Sequence, residues 1–291
     1  VFDTQKQALT YSDKKLRKIL DRLVEKERIT EDKKNSIINN IEYVTKIEEL
    51  IDSHLVIEAI IEDINVKDRL LNDLSTRLNP ECIVATNTSS LSVSKLASFY
   101  RYPENFIGIH FFNPPALMKL VEIIPAIQTK PKVVEEAESI IKSWGKITVR
   151  AKDTPGFIVN KVARPFYSEA LRIFEEGIVG EDDETSFATI DWAITEHAGF
   201  RMGPFTLMDF IGNDVNYAVT ETVFKSFYYD PRYKPAFTQK RLSEAGYLGR
   251  KAGRGYYNYE EGHEKAAPKK DETLVNYIAD RVVVMLINEA A

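Results

Sequence analysis

Leu55-Val56-Ile57-Glu58-Ala59-Ile60, the charged periodic stretch from Val66 to Leu78, Cys82-Ile83-Val84-Ala85-Thr86-Asn87, and the stretch from Leu91 to Phe99 together decide the fold. The apolar runs have no polar alternation, so they fit strands buried on both sides. Strands alternating with helical stretches imply a mostly parallel sheet with helices on both faces. The rhythm then breaks. Phe106-Ile107-Gly108-Ile109-His110 and Leu120-Val121-Glu122-Ile123-Ile124 are separated only by a short connection holding Pro114 and Pro115. No crossover helix fits in that space, so the two runs read as an antiparallel hairpin.

Outward from this core, the β signal largely ends after Val149. Asp153-Thr154-Pro155-Gly156 punctuates the chain, and Pro155 suits the first turn of a long helix running to about Glu176. Helical stretches are expected at about 183–198 and 205–228, with Pro204 where the latter begins. The class is therefore α/β plus all-α: a truncated Rossmann-type, doubly wound sheet in residues 1–150, then a helical domain at 151–260. Residues 260–272 are charged and suit a solvated linker. Past them, Ala279 to Ala290 repeats the polar pair, apolar run and closing Glu-Ala of Val159 to Ala170. Residues 273–291 are thus expected to start a second helical copy. Val1-Phe2-Asp3 reads as the tail of a buried strand and Ile287 to Ala291 as the middle of a helix, so both ends are expected to be cut.

At 291 residues and 44% hydrophobic, the chain can bury a core in each of two domains. Its net charge of -5 argues against a nucleic-acid partner, which would call for a basic face. No apolar stretch spans a bilayer and no signal-peptide pattern opens the chain. Cys82, the single cysteine, sits in an apolar run and reads as a buried thiol in a reducing compartment. A cytoplasmic protein without membrane contact is expected, and no metal.

The chemistry-bearing residues gather at the carboxyl ends of the strands, where open α/β sheets hold ligands. A hairpin centred on Ala116 places His110 opposite Glu122 with both side chains on one face. A carboxylate beside an imidazole fixes its tautomer and stabilises the imidazolium, as a general base requires, although a structural His–Glu hydrogen bond has the same pattern. Asn87-Thr88-Ser89-Ser90 follows a buried strand; Ser90 reads as the cap of the next helix, leaving Ser89 for function. A serine hydrolase would need a G-x-S-x-G elbow, and none is present. Asp3 closes a strand where a dinucleotide fold places its ribose acid, or serves as a turn residue. Asn160 lies on the first long helix of the second domain, where an interhelical hydrogen bond is the plain alternative.

Asn87 to Leu91, His110-Phe111-Phe112-Asn113-Pro114, Met118 to Glu122 and Lys152-Asp153-Thr154-Pro155-Gly156-Phe157-Ile158-Val159-Asn160 resemble the motif set of the 3-hydroxyacyl-CoA dehydrogenase family, 3-hydroxybutyryl-CoA dehydrogenases in particular. Gly203-Pro204-Phe205 through Asp209, and the glycine-rich segment at 249–257, continue the resemblance, which covers Asp3 to Tyr259. It implies NAD-dependent interconversion of 3-hydroxyacyl-CoA and 3-ketoacyl-CoA in fatty acid metabolism, with short-chain substrates and a homodimer formed through the helical domain. It implies His110 as base, Glu122 as its orienting carboxylate, and Ser89 and Asn160 as the groups holding the 3-oxygen of substrate in a cleft between the domains. Asp3, Glu62, Lys67, Ser89 and Asn113 would contact NAD, and Lys26, on the basic helix from Lys14 to Arg28, would contact CoA.

Three departures accompany it. The Gly-rich phosphate loop is missing, so NAD binding by this stretch alone is expected to be poor. Asn258 replaces a cofactor-contacting lysine of some relatives, and Asp280 stands where Asn160 would recur in a second copy. The competing readings are an NAD-dependent dehydrogenase of a free hydroxy acid, and a silent CoA-binding or oligomerisation module.

Overall fold

A computed structural model describes residues 1–180 and 184–291. The chain divides into two compact units, Val1–Arg150 and Ala151–Ala291.

In the first unit the apolar runs become β1 (Leu55–Glu58), β2 (Ile83–Thr86), β3 (Phe106–Phe111) and β4 (Leu120–Pro125), with β5 (Ile147–Arg150) at the edge. The sheet order is β1-β2-β3-β4-β5. β1, β2 and β3 are parallel, β4 returns antiparallel to β3, and β5 runs parallel to β4. The expected hairpin is present, because the connection from Phe112 to Lys119 holds only a cis-proline turn at Asn113-Pro114. Phe2 adds one parallel bridge, to Val44.

The helices of this unit are α1 (Lys6–Glu25), α2 (Glu31–Asn39), α3 (Ile64–Arg77), α4 (Val93–Ala97) and α5 (Pro131–Ser143). Val133, Val134, Ala137 and Ile141 of α5 close the core over Ile83, Ala85, Ile107, Ile109, Val121 and Ile123. Gly108 lets α4 approach the sheet: a Cβ there would stand 2.9 Å from Val93 Cγ2 and 3.0 Å from Ile124 Cβ. Two local expectations are corrected. The basic helix starts at Lys6, not Lys14, and ends at Glu25, leaving Lys26 as its exposed C-cap before Glu27 turns left-handed. The cap of α4 is Ser92, whose hydroxyl accepts the Lys95 N–H, while the Ser90 hydroxyl is engaged elsewhere.

The second unit contains α6 (Val159–Val162), α7 (Arg164–Glu175), α8 (Glu184–Trp192), α9 (Pro204–Ile211), α10 (Asn213–Ser226), α11 (Phe237–Glu244) and α12 (Glu272–Ala290). The long helix expected from Pro155 is instead a turn at 155–158, then α6, then α7. Pro165 explains the break, since it has no N–H for the Lys161 carbonyl. The stretch expected at 205–228 likewise divides at Gly212, whose φ of 105° suits glycine alone. At 183–198, α8 runs into a π turn at Ala193–His197. Residue 183 lies outside the described residues.

Phe166, Ala170, Ile173 and Phe174 of α7 pack with Ile190, Phe205, Met208 and with Val275, Ile278 and Val282 of α12. The two segments that resemble each other in sequence thus share one core. Arg281 of α12 reaches Glu169 of α7 at 2.6 Å.

The glycine-rich segment at 249–257 is explained by Asp209. Its Oδ1 accepts the Tyr256 N–H (3.0 Å) and Asn213 Nδ2 (3.0 Å), and its Oδ2 accepts the Tyr257 N–H (3.0 Å) and the Tyr259 hydroxyl (3.1 Å). The backbone comes so close that a Cβ at Gly255 would lie 2.0 Å from Asp209 Oδ1, and one at Gly249 would lie 2.2 Å from the Asp209 carbonyl oxygen. A second buried carboxylate, Asp191, accepts the N–H groups of Phe205 and Thr206, both at 2.8 Å, and the Tyr257 hydroxyl at 2.9 Å. Burial pushes its carboxyl up to about 6 against these hydrogen bonds. The motifs around Asp209 therefore hold the helical unit together.

Candidate active site

His110 and Glu122 face each other in the β3–β4 register, and both are buried. His110 Nδ1 lies 2.7 Å from Glu122 Oε2. An ionised carboxylate only accepts, so in the tautomer that donates Nδ1–H to it the lone pair belongs to Nε2. The Phe112 ring lies against the imidazole in a T-shaped arrangement, with centroids 4.8 Å apart. The pair can accept a proton at Nε2 while the carboxylate balances the resulting charge.

Beside it, the carboxyl ends of β1 and β2 carry a second network. Glu58 is buried; its Oε1 accepts Lys67 Nζ (2.7 Å) and the Ile60 N–H (2.7 Å), and its Oε2 accepts the Thr86 hydroxyl (2.7 Å). The Lys67 ammonium also reaches Glu62 Oε2 at 3.2 Å. Glu62 Oε1 gathers the loop after β2: the Thr88 hydroxyl, the Ser89 N–H (3.0 Å), the Ser90 N–H (3.2 Å) and the Ser90 hydroxyl (3.0 Å). Burial works to raise the Glu62 carboxyl, but the Thr88 hydrogen bond, the Lys67 charge and the Ser89 N–H outweigh it and hold it below the ordinary glutamate range. The Ser89 backbone is thus anchored by a carboxylate while the residue itself stays exposed.

Asn87 joins the two networks. Its N–H donates to the Glu58 carbonyl (2.8 Å) and its Oδ1 accepts the Phe111 N–H (2.9 Å), beside His110. Sequence reasoning passed over Glu58, Thr86 and Asn87 as candidates. The signal was there, since an acid and a threonine closing two apolar parallel strands need buried partners.

The remaining candidates are described one by one. Asn113 is exposed on the cis-proline turn. Asp3 follows the Phe2–Val44 bridge and its Oδ1 accepts the Gln5 N–H at 2.7 Å, a turn-type contact. In the helical unit Asn160 lies on α6, half-buried, with its carbonyl accepting Arg164 Nε at 3.0 Å. Cys82 is buried, and burial pushes its thiol up to about 11, as suits an inert core residue. No group of three His, Cys, Asp or Glu suited to a metal occurs among the described residues, and no described helix is long and apolar enough to cross a membrane.

Taken one by one, the candidates are of the types that bind a nicotinamide nucleotide: an exposed hydroxyl at Ser89, an exposed amide at Asn113, and carboxylates at Glu62 and Asp3.

Residues 1–154 match the NAD-binding domain of 3-hydroxyacyl-CoA dehydrogenases, and residues 156–259 match the C-terminal domain of the same enzymes. The chain is 40% identical over 259 residues to the 3-hydroxyadipyl-CoA dehydrogenase of Escherichia coli (strain K12), covering 89% of this chain and 53% of that protein. It is 38% identical to the 3-hydroxybutyryl-CoA dehydrogenase of Bradyrhizobium diazoefficiens, over 82% of this chain and 80% of the relative. The crystal structure of (S)-3-hydroxybutyryl-CoA dehydrogenase from Ralstonia eutropha superposes with a TM-score of 0.84 at 35% identity, over 89% of each chain. This chain therefore spans about half the length of the E. coli relative and most of the other two.

Proposed function

Because the chain belongs to the 3-hydroxyacyl-CoA dehydrogenase family, we propose that it carries the reacting groups of an enzyme interconverting 3-hydroxyacyl-CoA and 3-ketoacyl-CoA with NAD. One observation carries the reading: the buried 2.7 Å His110–Glu122 pair at the carboxyl edge of a dinucleotide-type sheet. Nε2 of His110 takes the proton of the 3-hydroxyl, and Glu122 offsets the charge that forms on the ring. Bound NAD supplies the acceptor for the hydride leaving C3. Ser89 and Asn160 donate hydrogen bonds to the 3-oxygen, holding it while its charge changes. Glu62 fixes the backbone of Ser89, and Lys67 fixes Glu62. In the reverse direction the imidazolium returns its proton to the 3-oxygen.

Asp3, Glu62, Lys67, Ser89 and Asn113 are the proposed NAD contacts, and Lys26 the CoA contact. Short-chain esters, a cytoplasmic setting and a homodimer through the helical unit complete the proposal. Exposed Phe210, Val215, Tyr228, Tyr229 and Phe237 support the dimer.

The test is NADH consumption with acetoacetyl-CoA by the full-length protein and its His110→Ala variant. The wild type is expected to oxidise NADH, and the variant to lose about 10²–10⁴ in turnover, the usual worth of a general base. Wild-type turnover by a folded His110→Ala protein would refute the assignment.

A further inference from the structure

The two segments that resemble each other, Val159 to Ala170 and Ala279 to Ala290, place Lys161 in register with Arg281 and Glu169 in register with Glu289. In the folded unit each cation meets the other segment's glutamate: Arg281 Nε lies 2.6 Å from Glu169 Oε1, and Lys161 Nζ lies 3.2 Å from Glu289 Oε1. Such an exchange, residue i with j of the other copy and j with i, is what a local two-fold axis produces. Both glutamates are buried. Glu289 also accepts the Tyr233 hydroxyl at Oε1, and Arg232 Nη1 at Oε2 across 3.1 Å.

The two ion pairs join different partners. Arg281–Glu169 links α7 and α12, which already share a core through Ala170, Ile173 and Phe174 on one side and Val275, Ile278 and Val282 on the other. Lys161–Glu289 reaches α6, a single turn of four residues, none of them buried. One turn has too few internal hydrogen bonds to hold its own shape. Gly156 and Phe157, left-handed at φ 75° and 49°, set it off from the chain before it, and Pro165 ends its hydrogen-bond ladder after it. Side-chain tethers therefore fix its place. Arg164 Nε donates to the Asn160 carbonyl at 3.0 Å, and Glu289 holds Lys161, the next residue. The Asn160 amide itself makes no hydrogen bond among the described residues.

We infer that Glu289 is a positioning residue: through Lys161 it fixes α6, and with it the Asn160 amide that donates to the 3-oxygen. The inference rests on the proposed role of Asn160. A donor of this kind acts only when held within about 0.5 Å of the right place, and a misplacement of about 1 Å can cost roughly 10²-fold in rate. The second segment has Asp280 where the first has Asn160, and an ionised carboxylate there accepts and does not donate. Thus α12 lacks the donor of α6 and carries the glutamate that aligns it.

The test uses the full-length protein, NADH and acetoacetyl-CoA. Asn160→Ala removes the donor and should lower kcat by about 10²–10³-fold. Lys161→Met leaves Glu289 with Arg232 and Tyr233, which spares the fold, and should lower kcat by about 10–10²-fold with KM within about threefold. Glu289→Gln loses the charge but can still accept from Tyr233, and should act alike. Lys161→Arg keeps the ion pair and should stay within about threefold of wild-type kcat. In an Asn160→Ala background, Lys161→Met and Glu289→Gln should each cost less than about twofold, because the group they align is gone. The inference is overturned if Lys161→Met keeps wild-type kcat. It is also overturned if the losses multiply in the Asn160→Ala background, which would make the pair a contributor to the fold alone. If Asn160→Ala turns over like the wild type, or the wild type reduces no acetoacetyl-CoA, the reading of Asn160 falls and the inference with it. A slow Asn160→Ala protein beside a fully active Lys161→Met protein overturns the inference alone.

Discussion

Replacing Glu122 by Gln removes one charge and almost nothing else. The amide has the size of the carboxylate, and its oxygen can still accept the Nδ1 proton, so His110 keeps its place against Phe112. What disappears is the attraction between a carboxylate and the imidazolium formed as the 3-hydroxyl proton moves. Charge centres roughly 4 Å apart at an effective dielectric near 20 attract by about 4 kcal/mol. The contact is buried on both sides, so screening by salt is small. The full value is felt only when the ring is charged, which in the forward direction means the transition state and not the resting enzyme. A loss of about 4 kcal/mol there slows turnover by about 10³-fold, at about 1.4 kcal/mol per factor of ten. The assay is kcat for NADH formation by the full-length protein at saturating 3-hydroxybutyryl-CoA and NAD, alongside KM and an unfolding curve. Expected is a fall in kcat of two to three or more orders of magnitude with KM within a few-fold. A folded Glu122→Gln protein within tenfold of wild-type kcat would refute the charge argument, leaving Glu122 at most an orienting group.

Two further predictions concern the network at the strand ends. Lys67→Met leaves the buried Glu58 without its cation and should cost about 3–5 kcal/mol of unfolding free energy, measured in urea. A loss below 1 kcal/mol would mean that Glu58 finds another partner. The Glu62 carboxyl is held below its ordinary value, so its contribution to stability is present above the unfolded glutamate value of about 4.3 and fades as pH falls through the lower folded value. The gap in urea midpoint between wild type and Glu62→Gln should therefore narrow from pH 6 toward pH 3.5. A gap that stays constant or widens on acidification contradicts this sign.

What the sequence made legible was decided by local patterns. Apolar runs at 55–60, 82–87, 106–110 and 120–124 had only one kind of sheet to form, and the brevity of the 111–119 connection fixed the antiparallel step. From that step alone His110 and Glu122 followed as partners, whatever their role. Helix ends were harder. Ser90 and Ser92 are equivalent as cap residues by type, and the choice fell to Ser92 because Glu62, twenty-eight residues upstream of Ser90, claims the Ser90 hydroxyl. The break before α7 was foreshadowed by Pro165, but a proline can also sit in a first turn, and periodicity does not distinguish the two. The glycines at 249 and 255 resembled a family signature without a reason until Asp209, remote in sequence, was seen to occupy the space a Cβ would need.

The His110–Glu122 pairing also bears on how this stretch tolerates change. Side chains along a strand alternate in direction, so the parity of the 112–119 connection decides whether residue 122 points with His110 or away from it. Inserting or deleting one residue there, with strand pairing otherwise kept, would move Glu122 to the opposite face and bring Val121 or Ile123 against the imidazole. Two residues at once would shift the partner along the strand yet preserve the face. Length variation in this turn is therefore quantised: odd steps sever the pair while sparing the sheet, so a mostly exposed turn is constrained as tightly as the two residues it aligns.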